Sequence, residues 1–328
     1  MSRRIPNRLP RRPAGLSLVE LMIAMALGLV VSGAAVGVFL TNQQTYRATE
    51  SIGRIQESAR VAFELMAREV REAGGSACAK NLPVANVLQV QGQWWSALED
   101  GVVGYDNGSL PASAAGTDAI DVISAASGGV AVTSMTTNSA QFKVSHAHDF
   151  QDNDVLMVCD YTQAALFQAT NVNSSNVTVV HNTGTGTVKN CTKALGLPLP
   201  QSCPGGQPGI TTEQYKIFGP TSQVVKLQGS RWYVADNGRG GRSLYRVRLS
   251  QGAAQPAEEI TEGVQDLQLE YLVEGQAAYA PAAAGTPWPS VVAVRLRLTL
   301  EEPGTVGTDG QPLQRQLEHV VNLRSRTA

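Results

Sequence analysis

The feature that most constrains this chain is an apolar segment near its N-terminus. It runs from Leu16 to Leu40, and its only charged side chain is Glu20. A membrane-spanning helix needs about 20 apolar residues, so this segment is long enough to cross a bilayer. An ionised carboxylate inside a bilayer costs several kcal/mol unless it is paired, which makes Glu20 a functional candidate. The segment therefore predicts a membrane helix whose carboxylate needs a cationic partner.

The residues before this segment are strongly basic. Residues 1–15 contain no acid and five arginines, which are Arg3, Arg4, Arg8, Arg11 and Arg12. The whole chain has 26 basic and 27 acidic residues, so the remainder has 26 − 5 = 21 basic against 27 acidic, or −6. Basic residues before a membrane segment predict that this end stays in the cytoplasm and that the rest of the chain crosses the membrane. The acidic remainder does not favour nucleic acid as a partner.

Two simpler interpretations of the same segment remain open at this point. A secretory signal peptide has a shorter apolar region and a small-residue cleavage site, which the sequence VSGAAVG at 31–37 could provide. A plain signal anchor would keep the whole segment as a membrane tether. Neither interpretation gives a role to Glu20.

An amphipathic pattern continues the predicted helix beyond the membrane segment. No proline interrupts residues 41–73, and charged side chains occupy the opposite face of the predicted helix. The apolar positions at steps of three and four are Ile52, Ile55, Ala59, Ala62, Phe63, Met66, Val70 and Ala73. The pair Gly74–Gly75 is a plausible stop signal. We predict one helix over 16–75, with 16–40 in the membrane and the second half lying on a globular domain.

Three glycines lie inside the predicted membrane helix, namely Gly28, Gly33 and Gly37. Small residues allow helices to approach closely in lipid. Glycine also weakens a helix by about 1 kcal/mol relative to alanine. We interpret the three glycines as helix-packing residues that also soften the helix locally.

The remainder, residues 76–328, has the composition of a β-rich domain. Runs with strand composition, several of them alternating apolar and polar residues, are NVLQVQ, DAIDVI, AQFKVS, DVLMVC, NVTVVH, EQYKIF, RWYVAD, SLYRVRL, VQDLQLEYLV, SVVAVRLRLTL and LEHVVNLR. Glycine, proline, serine and asparagine cluster in the predicted loops 104–117, 182–213, 274–290 and 301–312. The pattern predicts one antiparallel domain without internal repeats.

All four cysteines fall in the part predicted to lie outside the cytoplasm. They are Cys78, Cys159, Cys191 and Cys203, and four cysteines allow three pairings. We favour Cys191–Cys203, which closes a short loop, and this leaves Cys78 with Cys159. A zinc site is the alternative, but the spacing lacks the C-x-x-C pattern.

No motif in the sequence predicts catalysis, a cofactor or a metal. HAHDFQDND at 146–154 gathers histidine and aspartate, but it lacks the spacing of a calcium loop, and we interpret it as a polar hairpin connection. GRGGR at 238–242 favours a glycine turn over an anion site. Phosphate-loop, dinucleotide, serine-hydrolase and zinc-protease patterns are absent from the sequence. We therefore expect a protein that is not an enzyme.

The sequence GLSLVE at 15–20 resembles the type IV prepilin cleavage motif. In that family a membrane peptidase cuts after the glycine and methylates the new N-terminus. Carried over by position, Gly15 precedes the cut, Leu16 becomes the first mature residue, and Glu20 is the acidic fifth residue. The family usually has phenylalanine or methionine at the first mature position, so Leu16 departs slightly from the pattern. A new amine at Leu16 would be the kind of cation that Glu20 needs.

The later sequence resembles minor pilins of the PilW type. The resemblance lies in REAGGSACA, VCDYTQAALFQAT, GRSLYRVRL, TEGVQDLQLEY, VVAVRLRLTL and VVNLRS, and it does not extend to residues 80–140. It implies an α+β pilin-like fold and a low-copy subunit that primes pilus assembly and sits at or near the tip.

The same resemblance implies the location and the partners. The expected location is the inner membrane with a periplasmic β domain, and then the pilus tip. The implied partners are other minor pilins, the major pilin and the prepilin peptidase, with a large tip adhesin as a further candidate. A J-type minor pseudopilin of type II secretion is the alternative within the class. A signal-anchored periplasmic enzyme or binding protein is the alternative outside it.

Overall fold

One long N-terminal helix packs on a large β domain, which confirms the predicted α+β class. The computed structural model describes residues 15, 17–90, 92–96, 98–125, 128–184, 189–306 and 312–327, with the backbone alone for 302–306. The helix, α1, runs from Leu18 to Glu72 and is 55 residues long. The observed helix is a few residues shorter at both ends than the predicted range of 16–75.

Both ends of α1 follow from local chemistry. The hydroxyl of Ser17, the N-cap residue, accepts a hydrogen bond from the backbone N–H of Glu20 at 3.2 Å. Such a bond satisfies one of the amides that the first helical turn leaves without a partner. At the other end Ala73 adopts φ −56° and ψ 139°, so the chain leaves the helix there. Gly74 then takes φ +64°, a left-handed conformation that favours glycine.

An eight-stranded sheet forms the part of the domain that lies farther from the helix. In chain order its strands are β1 (Val84–Asn86), β4 (Val130–Thr136), β5 (Gln141–Val144), β6 (Val155–Cys159), β7 (Ala164–Gln168), β8 (Asn171–Asn173), β9 (Thr178–Val180) and β10 (Gln223–Lys226). Their spatial order is β1-β7-β6-β10-β4-β5-β9-β8. The pairings are antiparallel except for β1 with β7.

The remaining strands form two sheets beside the helix. A six-stranded sheet contains β2 (Val102–Tyr105), β3 (Ala119–Ser124), β11 (Gln228–Asp236), β12 (Arg242–Ser250), β13 (Ala253–Ala254) and β14 (Glu258–Glu262). Its order is β13-β12-β11-β3-β2, with β14 also pairing with β12. A three-stranded sheet contains β15 (Val264–Val273), β16 (Val291–Val306) and β17 (Pro312–Asn322), with β16 in the middle. A short 3-10 turn, Trp288–Ser290, precedes β16.

The second half of α1 completes a core with these two sheets. Its buried face consists of Ser51, Ile55, Ala59, Ala62, Met66, Ala67 and Val70. This face meets strands β3, β14, β16 and β17. On β16 the alternating residues Val294, Leu296, Leu298 and Leu300 face that core, while Arg295 and Arg297 point outward and pair with Glu270 and Glu318. The alternation predicted for this strand is therefore the one that the structure shows.

A separate core lies in the eight-stranded sheet. Phe142, Phe167 and Phe218 are fully buried in it. The aromatic rings of Phe142 and Phe167 are 5.7 Å apart, and the imidazole of His181 contacts both. This core is thus separate from the one that includes the helix, and two further buried clusters lie in the described part of the domain.

Four details of the sequence prediction were wrong. NVLQVQ at 86–91 is not a strand beyond Asn86, where β1 ends, as far as the structure describes it. EQYKIF at 213–218 is not a strand but part of a long irregular segment, where Lys216 pairs with Asp160 and Phe218 is buried. HAHDFQDND is not a hairpin connection, because it joins β5 to β6, which are not neighbours in the sheet. The predicted loop 301–312 begins later, since β16 continues to Val306. Local composition did not decide these cases: EQYKIF has strand composition but no strand to pair with, whereas the order of β5 and β6 and the length of β16 depend on their pairing partners.

Candidate functional site

The N-terminal half of α1 is the first candidate functional region. Every described residue from Ser17 to Arg47 is exposed, including large apolar side chains such as Leu18 at 77% and Leu29 at 75%. By length and composition this helix could cross a membrane. Exposed apolar surface of this extent marks a region that contacts lipid or other proteins. The β domain makes no contribution to covering it.

Glu20 lies in the first turn of this exposed helix. Among the described residues its carboxylate makes no hydrogen bond or ion pair, whereas its backbone N–H donates to the Ser17 hydroxyl. A carboxylate near a helix N-terminus is favoured by the helix dipole. Gly15 is exposed, with nothing within 4 Å of a Cβ built on it. Leu16 and the five leader arginines lie outside the described residues.

The predicted packing glycines occupy open positions on the same helix. No atom lies within 4 Å of a Cβ built at Gly28, Gly33 or Gly37. Space inside this chain therefore does not require glycine at any of the three. Their use as contact residues stays a prediction.

A threonine ladder follows the last of these glycines and was missed in the sequence. The hydroxyl of Thr41 donates to the carbonyl of Gly37 at 3.0 Å, Thr45 donates to Thr41 at 2.9 Å, and Thr49 donates to Thr45 at 2.9 Å. Each hydroxyl thereby finds a partner within the helix. Such bonds to the i−4 carbonyl tend to bend helices slightly. The signal that could have identified the ladder is the repeat of threonine at every fourth position.

Glu69 joins the packed half of the helix to the β domain. One carboxylate oxygen accepts the indole N–H of Trp232 at 2.6 Å and the hydroxyl of Ser230, and the other accepts from Arg246 at 3.1 Å. The Arg246 guanidinium also lies 5.2 Å from the Trp232 ring centroid and bonds Glu258 at 3.0 Å. We call Glu69 with its three donors the Glu69 clamp. Sequence reasoning missed it, because only the fold brings these strands to the helix.

The end of the helix is held by the C-terminal segment. The backbone N–H of Arg324 donates to the Arg71 carbonyl at 2.9 Å, and the Ser325 hydroxyl donates to the Ala73 carbonyl at 2.6 Å. The guanidinium of Arg326 donates to four backbone carbonyls, those of Trp288, Val291, Glu99 and Asp100. The bonds to Arg71 and Ala73 satisfy carbonyls that the end of α1 leaves without partners, and the Arg326 bonds hold the C-terminal segment on the domain. They fix the last turn of α1 to the domain.

Two disulfides staple the β domain. The structure joins Cys78 to Cys159 across 81 residues and Cys191 to Cys203 across 12, the pairing favoured from the sequence. The first ties the segment after the helix to β6, and the second closes part of the irregular segment before β10. Among the described residues no cysteine is free.

Several ionisable groups inside the domain have structural partners. Arg231 forms a two-pronged pair with Asp121 at 2.6 and 2.8 Å, and burial raises the pKa of Asp121 against the lowering effect of that pair. Burial beside Asp121 raises the pKa of Tyr105 to about 12. The Asp154 side chain in the 146–154 segment accepts from Gln151 and pairs with Lys226. In the described part of the chain, no group of three or more metal-binding side chains forms.

Two family models match the chain. The model described as the prokaryotic N-terminal methylation motif matches residues 10–36. The model described as type IV pilus-assembly protein W matches residues 231–321. The first match covers Gly15, Leu16 and Glu20. The second runs from within β11 to within β17 and includes Trp232 and Arg246 of the Glu69 clamp. No curated protein and no solved structure matches the chain.

Proposed function

We propose that this chain, which the two matches identify as a type IV pilin-like pilus component of the PilW type, primes pilus assembly as a minor pilin at or near the tip. The observation that carries the proposal is the division of α1. Its first half offers exposed apolar surface with one carboxylate, and its second half is bound to the region that matches the assembly protein. Such a molecule is suited to bring a β domain into a helical assembly.

In this proposal the N-terminus is processed before assembly. A prepilin peptidase cuts after Gly15, and Leu16 becomes a methylated, cationic first residue. The chain is then a substrate of that enzyme and needs neither a cofactor nor a metal of its own. A membrane-anchored state before assembly is supported by the prepilin motif together with the apolar helix. The cytoplasmic leader and the periplasmic β domain belong to the proposal.

Glu20 pairs in the assembly with the N-terminal amine of a neighbouring subunit. Attraction between opposite charges is strong where the dielectric constant is low, as among packed apolar helices. The helix residues that follow Glu20 supply apolar surface, which makes contacts without a preferred direction. The pair between Glu20 and the neighbour's amine would therefore be the directional part of the contact between subunits. Gly28, Gly33 and Gly37 allow neighbouring helices to approach. The neighbours are other minor pilins and the major pilin, with a tip adhesin beyond them.

Processing is tested by sequencing the N-terminus of the mature protein from the membrane fraction. We expect Leu-Ser-Leu, that is, a start at Leu16. A Gly15→Leu variant, which changes the residue before the cut, should keep the leader. A start after Ala34 or Ala35 would instead indicate an ordinary signal peptide, and an unprocessed N-terminus would indicate a plain anchor.

Assembly is tested by Glu20→Ala and Glu20→Gln in cells that lack the wild-type chain. We expect membrane insertion and leader cleavage to persist while piliation is lost or strongly reduced, because both variants remove the charge. Glu57→Ala is the matched control, since it removes an exposed carboxylate from the same helix outside the apolar segment. Normal piliation with either Glu20 variant contradicts the proposed pairing.

A further inference from the structure

The packed half of α1 presents a broad apolar face made largely of small residues. Four of its buried positions are alanine or serine, and Val61, Phe63 and Leu65 on both flanks are partly buried. Apolar contact is non-directional, so such a face tolerates some rolling of the helix. Alanine ridges are shallow and interlock less than large side chains do. Packing alone therefore defines the rotation of this helix loosely.

The two flanks of the packed half of α1 contact the β domain in different ways. On one flank is β17, where the rings of Phe63 and His319 are 5.8 Å apart. On the other flank are β14 and the Glu69 clamp. A groove of about 340 Å³ runs along this second flank, lined by Leu65, Glu69, Ser230, Arg246 and other residues. The groove is open space beside the helix into which it could roll, and Glu69, Ser230 and Arg246 of the clamp line it.

We propose that the Glu69 clamp fixes the rotation of the projecting helix relative to the β domain. Glu69 accepts three hydrogen bonds from two adjacent strands, and Trp232 and Arg246 are a directly opposed pair on β11 and β12. Hydrogen bonds to a charged acceptor are short and directional. The bonds to Arg71 and Ala73 fix the helix along its axis, whereas the clamp acts on its side.

The consequence of a fixed rotation extends along the whole helix. Because α1 is continuous from Leu18 to Glu72, a roll at Glu69 turns Glu20 by the same angle. In a pilus, where Glu20 is held by a neighbouring subunit, the clamp would then set the direction in which the β domain projects from the helix. This consequence rests on the proposed function, but the rotation itself is a property of the single chain. Glu69 is thus a positioning residue for assembly.

The rotation is tested in the full-length chain in detergent with pairs of spin labels. All four native cysteines are in disulfides, so labels can be placed at Glu57→Cys on the exposed helix face and at Gln316→Cys or Ala257→Cys in the domain. Gln316 lies on β17, and Ala257 directly precedes β14 on the opposite flank. A roll moves the helix label toward one flank and away from the other.

Glu69→Ala should shift the two distances in opposite directions by about 3 Å, as expected for a roll of 30–40° at the radius of helical side chains. Glu69→Gln, which keeps one acceptor oxygen, should give a smaller shift. Glu64→Ala is the control, because Glu64 is an exposed carboxylate on the same helix whose ion-pair partner is Arg60 rather than a residue of the β domain. If the clamp only stabilised the fold, Glu69→Ala would not lengthen one distance while it shortens the other.

Unchanged distances in Glu69→Ala, or equal broadening of both without opposite shifts, would overturn the proposal. Should Glu69→Ala fail to fold, the pair Ser230→Ala with Trp232→Phe removes two donors and leaves Glu69 bonded to Arg246, and smaller shifts in the same opposite directions are expected. The measurement needs no pilus. Unchanged distances in Glu69→Ala would contradict the fixed rotation but not the proposed function. Normal piliation with Glu20→Ala would contradict the proposed pairing but not the fixed rotation.

Discussion

The two halves of α1 are one continuous helix stabilised in different ways. From Leu18 to Leu40 the helix surface is exposed and almost entirely apolar, with Glu20 as its one charged side chain, and residues 41–50 are mostly polar. From Ser51 to Glu72 only one stripe is apolar, and most of that stripe is buried. A helix that is apolar on all sides needs lipid or other helices around it, and an amphipathic helix needs one surface. The second half finds that surface within its own chain. The first half depends on molecules outside it.

The largest loss of unfolding free energy should come from removing the disulfide that follows the packed half of α1. Replacing Cys78 and Cys159 by serine removes a crosslink across 81 residues, which the chain-entropy relation values at about 4.5 kcal/mol of unfolding free energy. Replacing Cys191 and Cys203, across 12 residues, should cost about 3 kcal/mol. Denaturant unfolding of both double variants measures the difference. Equal losses would contradict the ranking by loop length.

A matched pair of methionines on α1 tests the comparison directly. Met66 is fully buried, so Met66→Ala should lower the unfolding free energy of the β domain by about 3 kcal/mol. Met22 is 63% exposed, and Met22→Ala should leave that free energy within about 0.5 kcal/mol in detergent. Denaturant unfolding in the same detergent measures both. A comparable loss in Met22→Ala would mean that the first half packs on the domain.

Acid should weaken the core around Phe142, Phe167 and His181. Burial among Phe142 and Phe167 lowers the pKa of His181 to about 4, from an ordinary value of 6.5. The unfolded chain then binds more protons between these values, so stability is full above about pH 6.5 and falls toward pH 4. Between pH 7 and pH 5 the loss should be about 2 kcal/mol.

The pH dependence is checked by unfolding the chain at a series of pH values. His181→Phe should remove most of the loss, while the control His319→Gln should retain it. Hydrogen exchange should show the loss in β5, β7 and β9 before the strands that contact α1. A loss that persists in His181→Phe would place its origin in other groups.

The smallest effect should come from the exposed face of the packed half. Arg60 and Glu64 pair at 3.3 Å while both side chains are about two-thirds exposed, at 67% and 68%. Exposed pairs of this spacing contribute about 0.3–0.5 kcal/mol. Glu64→Ala should therefore change the unfolding free energy by no more than that at low salt, and by less in 0.5 M salt. A loss above 1 kcal/mol would indicate a further role for Glu64.

Much of the fold could be read from local patterns. The helix stripe through Ile55, Met66 and Val70 and the alternation of β16 each depend on residues close in sequence, and both are present in the structure. EQYKIF was misread because its strand composition lacks a neighbouring strand to pair with. The 146–154 segment was misread because sheet order depends on contacts between distant residues.

The candidate site divides in the same way. Gly15, Leu16 and Glu20 stand within six positions of one another, so a contiguous motif revealed them. Glu69 and its donors are separated by 161 to 177 positions, and no local pattern joins them. Their chemistry became visible only when β11 and β12 were placed beside the helix.

The sequence by itself determined that this chain has an apolar N-terminal helix with a single carboxylate, a β-rich domain and a prepilin-like start. Periodicity and composition act over a few residues, and these features need nothing more. Only the tertiary structure decided the order of the strands in the three sheets, which strands contact the apolar stripe of the helix, and the polar clamp beside that stripe. Those depend on which distant strands meet, and that is set by the packing of the whole core rather than by any one segment.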